Sequence, residues 1–210
     1  AQGCAWPKIL LAAVTCSAAM SFIVRPFESA DVEPLCRIFA EGHEELGVAS
    51  GSEFLIRRHR NYAASVLKGD LANIEDLFEE FFVAVSSNDG SVLGGLGLMH
   101  LGPSCWEARC LCVVKSARQA GIARALFRSL EESILRHEQE PSWNPQTTTL
   151  QLTVLDHMSA ARALYHELGF AEQRTETKSL VIHGLAGEIH VIHLLKELDL
   201  SAGPRNAVLL

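Results

Sequence analysis

The sequence predicts an α/β protein built around a mixed central sheet of about seven strands. Apolar runs typical of strands alternate with segments whose apolar residues recur at helical spacing, in the order βααβββαβαββ. The tripeptide Asn88-Asp89-Gly90 lies between two of the apolar runs and predicts a tight hairpin. With 210 residues, 48% of them apolar and 20% charged, the chain is long enough for one well-buried core.

The first half of the chain is predicted to hold one strand, a helical region and a hairpin. Ser29 is suited to cap a helix, because apolar residues follow it at helical spacing from Val32 to Phe39. The next helical region is interrupted near Gly69. The predicted ranges are a strand at 22–24, helices from Ser29 onward and over 53–79, and strands at 81–85 and 92–98.

The second half is predicted to alternate strands and helices before it ends in a second hairpin. A short helix is expected to end at Gly169, since glycine readily adopts the left-handed conformation that closes a helix. Gly184 and Gly187 are expected in the last turn. The predicted ranges are strands at 108–114 and 148–154, helices at 121–136 and 159–168, and strands at 172–182 and 188–195.

Both ends of the chain are expected to lie outside the fold. Residues 1–20 are small and apolar with one charged side chain, which fits a leader or an added segment, and Met20 is a candidate start of translation. The apolar stretch 9–20 is shorter than the roughly 20 residues of a membrane-spanning helix, so no span is expected. The domain is placed at 21–198, and 199–210 is expected to be a flexible tail.

Charge and cysteine content exclude several classes of protein. Eighteen basic and 25 acidic residues give a net charge of −7 without a basic run, so a nucleic-acid partner is not expected. Six cysteines without a CxxC pair favour neither a zinc ribbon nor a disulfide scaffold. Reduced thiols and a cytoplasmic location are expected, with organelle or secretory targeting by residues 1–20 left open.

One segment carries a recognisable chemical motif. A predicted strand ends near Val114, a short polar turn follows, and a helix begins with the pattern Arg118-x-x-Gly121-x-Ala123. A helix that opens with small residues presents free backbone N–H groups and the positive end of its dipole. Arg118 and Arg124 add positive charge beside it. The segment therefore predicts a binding site for an anion such as a diphosphate.

The other glycine-rich run is not a phosphate-binding loop. Gly94-Gly95-Leu96-Gly97 lies inside an apolar strand and opens no helix, so these glycines are interpreted as positions of close packing. No GxxxxGK[ST] motif occurs, which argues against a nucleoside triphosphatase.

Three ordered blocks resemble the GCN5-related N-acetyltransferases (GNAT). The block 23–31 is similar to the first strand and helix start of that family, 111–123 to its acetyl-CoA motif R/Q-x-x-G-x-G/A, and 161–170 to its motif A-x-x-L-Y-x-x-x-G-F. A narrower resemblance, through residues 159–165 and 189–195, is to the cysteine-S-conjugate N-acetyltransferase group. That group has an apolar membrane hairpin where this chain has the charged stretch 53–80, and Met158 replaces an asparagine common in the family.

The resemblance implies a fold, a co-substrate and a reaction. Helices would cover both faces of a sheet that is splayed at its fourth and fifth strands, and no metal is required. An acetyl group would pass directly from acetyl-CoA to a primary amine of a small molecule or peptide, in a monomer or a homodimer. The residues implied in acetyl-CoA binding are Leu111, Cys112, Val113, Arg118, Gln119, Ala120, Gly121, Ile122, Ala123 and Arg124.

The same resemblance makes Tyr165 the candidate general acid, because it occupies the position of the family's phenol near the sulfur. Glu107, at the start of the central strand, is a candidate base, and His100 is a weaker one. His190 and His193 are three residues apart in a predicted strand, so they point to opposite faces and do not share a metal.

Two alternative functions remain, whereas a cysteine nucleophile is set aside. Cys110 and Cys112 share a strand face and are interpreted as buried packing residues, not as nucleophiles. A non-catalytic acyl-CoA-binding module on the same fold, or a structural interaction domain, would also fit, since a fold does not fix a function. Acceptor specificity is assigned to residues 43–80 and to the turn between the last two strands.

Overall fold

A single seven-stranded sheet with helices on both faces forms the described part of the protein, which confirms the predicted fold class. The computed structural model describes residues 20–138 and 147–200, so the predicted leader at 1–19 and the tail from 201 lie outside it. The strands are β1 (Phe22–Pro26), β2 (Glu80–Ser86), β3 (Val92–Gly102), β4 (Cys105–Val113), β5 (Thr147–Leu155), β6 (Ala171–Ile182) and β7 (Leu185–Asp199). The helices are α1 (Val32–Ala49), α2 (Glu53–Lys68), α3 (Ile74–Leu77), α4 (Ile122–His137) and α5 (Ser159–Glu167).

The strand order is β1-β2-β3-β4-β5-β7-β6, and the β4–β5 pair is parallel. That pair is short, because its register runs only from Cys105 opposite Thr149 to Glu107 opposite Gln151. Every other neighbouring pair is antiparallel and longer. Beyond Glu107 the two central strands separate, which confirms the predicted splay at the fourth and fifth strands.

Two large apolar cores hold the helices against the sheet, and a third, smaller cluster packs Phe54 of α2 against Ile182 and Ile189. Helices α4 and α5 pack on one face through residues such as Leu126, Phe127 and Tyr165. Helices α1 and α2 pack on the other face through residues such as Leu35 and Val66. The opening between β4 and β5 therefore lies between two helical layers.

A bulge in β4 changes which core its side chains enter. Cys112 pairs with Gly95 and Arg109 pairs with Gly97, so β4 holds one more residue than β3 over this stretch. Cys110 has a φ of 60°, in the left-handed region, at this point. As a result, Trp106 and Ala108 belong to the α4 core, whereas Cys110 and Cys112 belong to the α1 core.

The last hairpin differs from its prediction. Gly184 lies in the turn, but Gly187 lies inside β7, so the prediction that both occupy the turn is wrong for Gly187. The reason is a tertiary contact, since a Cβ at Gly187 would come within 2.6 Å of the ring of Phe54 in α2. The predicted close packing at the β3 glycines is confirmed, because a Cβ at Gly94 would lie 2.3 Å from the carbonyl oxygen of Cys112.

Among residues 20–138 and 147–200, no helix combines the length and the apolar character that crossing a bilayer requires.

Candidate active site at the opening between β4 and β5

The open side of β4 presents backbone groups that do not pair with β5 beyond Glu107. The N–H of Val114 donates to the carbonyl of Leu93 in β3, at 2.8 Å. Because backbone groups alternate along a strand, those of Leu111 and Val113 face away from β3 and toward the opening. The carbonyl of Val113 accepts a hydrogen bond from Arg118 Nε at 3.2 Å. An extended ligand would find donors and acceptors here of the kind that an added strand uses.

The loop that follows β4 ends at the N-terminus of α4. Gln119 and Gly121 both have left-handed backbone, with φ of 66° and 85°. The first bond of α4 runs from Ala125 N–H to Gly121 O, so the N–H groups of residues 121–124 have no acceptor within the helix. Successive N–H groups around left-handed residues form a concave anion site, and the helix dipole strengthens it. Ala120 is exposed, whereas the buried Ile122 anchors the helix in the α4 core.

The two arginines beside this loop are already bound to carboxylates. Arg118 pairs with Glu45 of α1 at 2.7 Å, and Lys115 reaches the same carboxylate at 3.2 Å. The hydrogen bond from Arg118 holds the pKa of Glu45 below its usual range. Arg124 pairs with Glu167 of α5. A cleft of about 530 Å³ lies between this loop and the last turns of α1, lined by Lys115, Arg118, Glu44, Glu45, Leu46, Val48 and Ala49.

Glu107 occupies the last paired position of the parallel β4–β5 ladder, at the apex of the opening. Burial raises the pKa of its carboxyl group, and Asp70 raises it further, against the opposite effects of Arg109 and His193. A carboxylate with a raised pKa is a stronger base than one in water. The structure thus places this sequence-predicted base where β4 and β5 separate, with a carboxylate that is more basic than one in water.

Tyr165 of α5 is buried between the rings of Phe127 and Phe170, with ring centroids 5.9 and 6.0 Å away. Its hydroxyl group has no hydrogen-bond partner among residues 20–138 and 147–200. Burial raises its pKa above the usual range, with a smaller contribution from the phenol of Tyr62. Tyr62 belongs to α2 on the opposite face of the sheet, so the two phenols interact electrostatically across the opening.

Sequence reasoning missed the side chains that α1, α2 and the following turn bring to the opening. Asp70 forms an ion pair of 2.9 Å with Arg109 of β4. His43 of α1 contacts both Tyr62 and His59 of α2. The spacing of His59 and Tyr62, three apart on one helix, places both on a single face, which is the only local signal of this cluster.

Other candidate residues do not join the site. His100 is exposed and stacks on Trp106, at 4.5 Å between ring centroids, before the opening begins. Cys110 and Cys112 are buried, as predicted, and burial raises the pKa of Cys112 to about 12, which disfavours a thiolate. Within the described residues, no group of three or more His, Cys, Asp or Glu side chains is arranged to hold a metal ion.

Comparisons with known proteins agree on the fold. Residues 78–172 match the sequence model of the acetyltransferase (GNAT) domain. No curated protein matches the chain. A GNAT-family acetyltransferase from Staphylococcus aureus Mu50 is similar, with a TM-score of 0.61, 17% identity and coverage of 85% of this chain and 100% of its own.

Two ligand-bound structures are similar to the same degree. One is the phosphinothricin acetyltransferase of Sinorhizobium meliloti with acetyl-CoA, with a TM-score of 0.59, 16% identity and coverage of 86% of this chain and 90% of its own. The other is the PaiA N-acetyltransferase of Thermoplasma acidophilum with coenzyme A. It has a TM-score of 0.60 and 17% identity, and the match covers 83% of this chain and 98% of its own. The narrower likeness to cysteine-S-conjugate N-acetyltransferases stays a prediction. The chain therefore has the GNAT fold, and its central segment matches the GNAT acetyltransferase domain.

Proposed function

We propose that this protein is an N-acetyltransferase that moves an acetyl group from acetyl-CoA directly to a primary amine of a small molecule or peptide. One observation carries the proposal: the opening between β4 and β5 runs from a half-buried carboxylate, Glu107, to a helix N-terminus with free N–H groups. Two similar structures hold acetyl-CoA or coenzyme A, which supports the same co-substrate here.

Backbone groups would provide most of the co-substrate binding. Those of Leu111 and Val113 suit the amides of the pantetheine arm, which would lie beside β4 as an extra strand. The pyrophosphate would accept hydrogen bonds from the loop at residues 119–124. Arg118 would have to exchange Glu45 for a phosphate oxygen to contribute its charge. Cys112, predicted to bind acetyl-CoA, would contribute neither backbone nor side chain, since its backbone pairs with Gly95 of β3 and its thiol lies in the α1 core.

The reaction needs a base for the amine and an acid for the sulfur. Glu107 accepts a proton from the attacking nitrogen, because burial makes its carboxylate more basic. The nitrogen then forms a bond to the thioester carbonyl carbon, and the C–S bond breaks. Tyr165 donates a proton to the departing thiolate, since its buried phenol has no competing hydrogen-bond partner among the described residues. Positioning of the two reactants contributes most of the rate.

A thiol-release screen with acetyl-CoA and a panel of amines tests the proposal. The panel holds polyamines, amino acids, aminoglycosides and peptides with free α-amines or lysines, and mass spectrometry identifies each N-acetyl product. At least one amine should give thiol and N-acetyl product in equal amounts. Saturable acetyl-CoA binding without any product would instead favour the acyl-CoA-binding module.

A further inference from the structure

Three histidines from separate parts of the chain form a continuous hydrogen-bonded line. His43 Nδ1 of α1 lies 2.9 Å from His59 Nδ1 of α2, and His59 Nε2 lies 2.8 Å from His157 Nε2, just after β5. His157 Nδ1 lies 3.5 Å from a carboxylate oxygen of Asp156. His59 is 1% exposed, while the side chain of His157 is 22% exposed. The line therefore joins two partly exposed ends through a buried middle ring; His43, beside Tyr62, is called its inner end, and His157 its outer end.

The hydrogen positions in this line follow from its end. When all three rings are neutral, two alternating sets of hydrogen positions fit the line, and the Asp156 carboxylate, 3.5 Å from His157 Nδ1, favours the set in which His157 carries its hydrogen on Nδ1 and accepts at Nε2. His59 must then donate from Nε2 and accept at Nδ1, and His43 must donate from Nδ1. This leaves one free lone pair, on His43 Nε2, which has no partner among the described residues.

The charged groups around the line favour a proton at its outer end. Burial lowers the pKa of His43 to about 3 and that of His59 to about 4, and each is lowered further by the neighbouring histidine and by Arg58. Asp156 is the one carboxylate in contact with the line within the described residues, and it faces His157. Tyr62, which packs on His43 and reaches Tyr165 electrostatically, faces the inner end. A proton taken up inside would thus move outward.

We propose that His43, His59 and His157 form a proton relay that serves the acetyl-transfer site, an inference that rests on the proposed function. A proton from the attacking nitrogen enters at His43 Nε2, each ring passes on its own hydrogen, and a proton leaves from His157 Nδ1 beside Asp156. The direct N···N distances support this role, whereas a metal site is excluded because His59 uses both ring nitrogens on its neighbours.

The protons lost and gained in one turnover balance. The nitrogen loses two protons, one to Glu107 and then to water, the other through the relay to solvent. Tyr165 gives its proton to the sulfur. The outward passage leaves a lone pair of His157 facing the Asp156 carboxylate. A proton therefore re-enters there, passes back along the line and leaves from His43 Nε2 into the opening, where Tyr165 takes up a proton to replace the one that it lost. One proton is released for each N–C bond formed and each C–S bond broken.

Removal and chemical rescue of the partly exposed His157 test the relay. His157→Gly should lower kcat by about tenfold or more, the low part of the range for proton-transfer catalysis, with KM for acetyl-CoA within twofold of wild type. Imidazole in the buffer should restore kcat, and the recovery should vary with the pKa of substituted imidazoles. His100→Gly, at an exposed histidine outside the line, is the matched control and should show neither loss nor rescue.

A readout without turnover keeps the relay separate from the proposed function. Long-range ¹H–¹⁵N spectra at pH 7 should show His43 and His157 protonated on Nδ1 and His59 on Nε2. An Nε2-protonated His43, a His157→Gly enzyme within twofold of wild type, or a loss in a folded variant that imidazole does not restore would each overturn the relay. A wild-type chain that transfers no acetyl group to any amine, with the tautomers as assigned, would instead refute the proposed function.

Discussion

The two sides of the β4–β5 opening differ in the chemical groups that form them: backbone groups on one side and side chains on the other. On the α4 side, the loop at 118–121 and the end of β4 offer backbone N–H and C=O groups, arranged by local conformation. On the α1 side, side chains from distant parts of the chain come together, such as His43, His59 and His157. The first side suits a ligand common to many enzymes, and the second suits chemistry particular to this one.

Gly121→Glu should produce the largest effect on the backbone-built side. The carboxylate would enter the anion site and repel the pyrophosphate at close range, so acetyl-CoA binding should be lost in calorimetry. Nothing lies within 4 Å of a Cβ at Gly121, and the same holds at Gly90 in the β2–β3 turn, which also has positive φ. Gly90→Glu therefore carries the same backbone strain away from the site and should bind acetyl-CoA normally. Equal affinity for acetyl-CoA in both variants would show that the co-substrate binds elsewhere.

Tyr165→Phe should lower kcat by roughly tenfold to a hundredfold, toward the low end for general acids because a thiolate is a fair leaving group. The ring packing against Phe127 and Phe170 is kept, so the acetyl-CoA dissociation constant should change little. Because the pKa of Tyr165 is raised above its usual range, its ionisation should not produce an alkaline limb between pH 6 and 10. A variant with kcat within twofold of wild type would make Tyr165 a packing residue.

The histidines on the α1 side should make the stability of the protein depend on pH. The folded-state pKa values of His43 and His59, about 3 and about 4, lie below those of the unfolded chain. Unfolding therefore takes up protons, and the free energy of unfolding should be greatest above pH 6.5 and fall as the pH decreases toward 4, by roughly 3 kcal/mol for each of the two rings. Urea titrations at several pH values measure the slope. His59→Phe should flatten it, and an unchanged slope would contradict the assigned burial of these rings.

The smallest expected effect concerns the ion pair that links the two sides. Glu45→Gln frees Arg118 and Lys115 from a partly exposed carboxylate, so acetyl-CoA should bind about twofold to fivefold more tightly, in line with the strength of such pairs. Arg118→Ala should weaken binding by about 1.5–3 kcal/mol, as for a hydrogen bond to a charged group. In the double variant the gain from Glu45→Gln should shrink. A full gain there would show that Glu45 acts through another residue.

The difference between the two sides also explains what the sequence could predict. The order of strands and helices along the chain, the hairpin at Asn88–Gly90 and the helix that opens after Gly121 follow from local patterns of residues, and the structure contains all of them. The histidine line could not be predicted, since its members are separated by 16 and 98 positions and only the packing of α1, α2 and the β5–α5 turn joins them. The β4 bulge was likewise invisible, because Cys110 and Cys112 alternate with Leu111 as in a regular strand.

Hydrogen exchange of backbone amides, with and without acetyl-CoA, tests most directly the claim that the co-substrate is held by backbone in the opening. Binding should slow exchange at Leu111, Val113 and residues 119–124, whose N–H groups would gain acceptors. The exposed edge strand β6 provides an internal control and should exchange at an unchanged rate. Protection confined to residues 44–49 beside the α1 cleft, or no protection at residues 119–124 under saturating acetyl-CoA, would contradict the account.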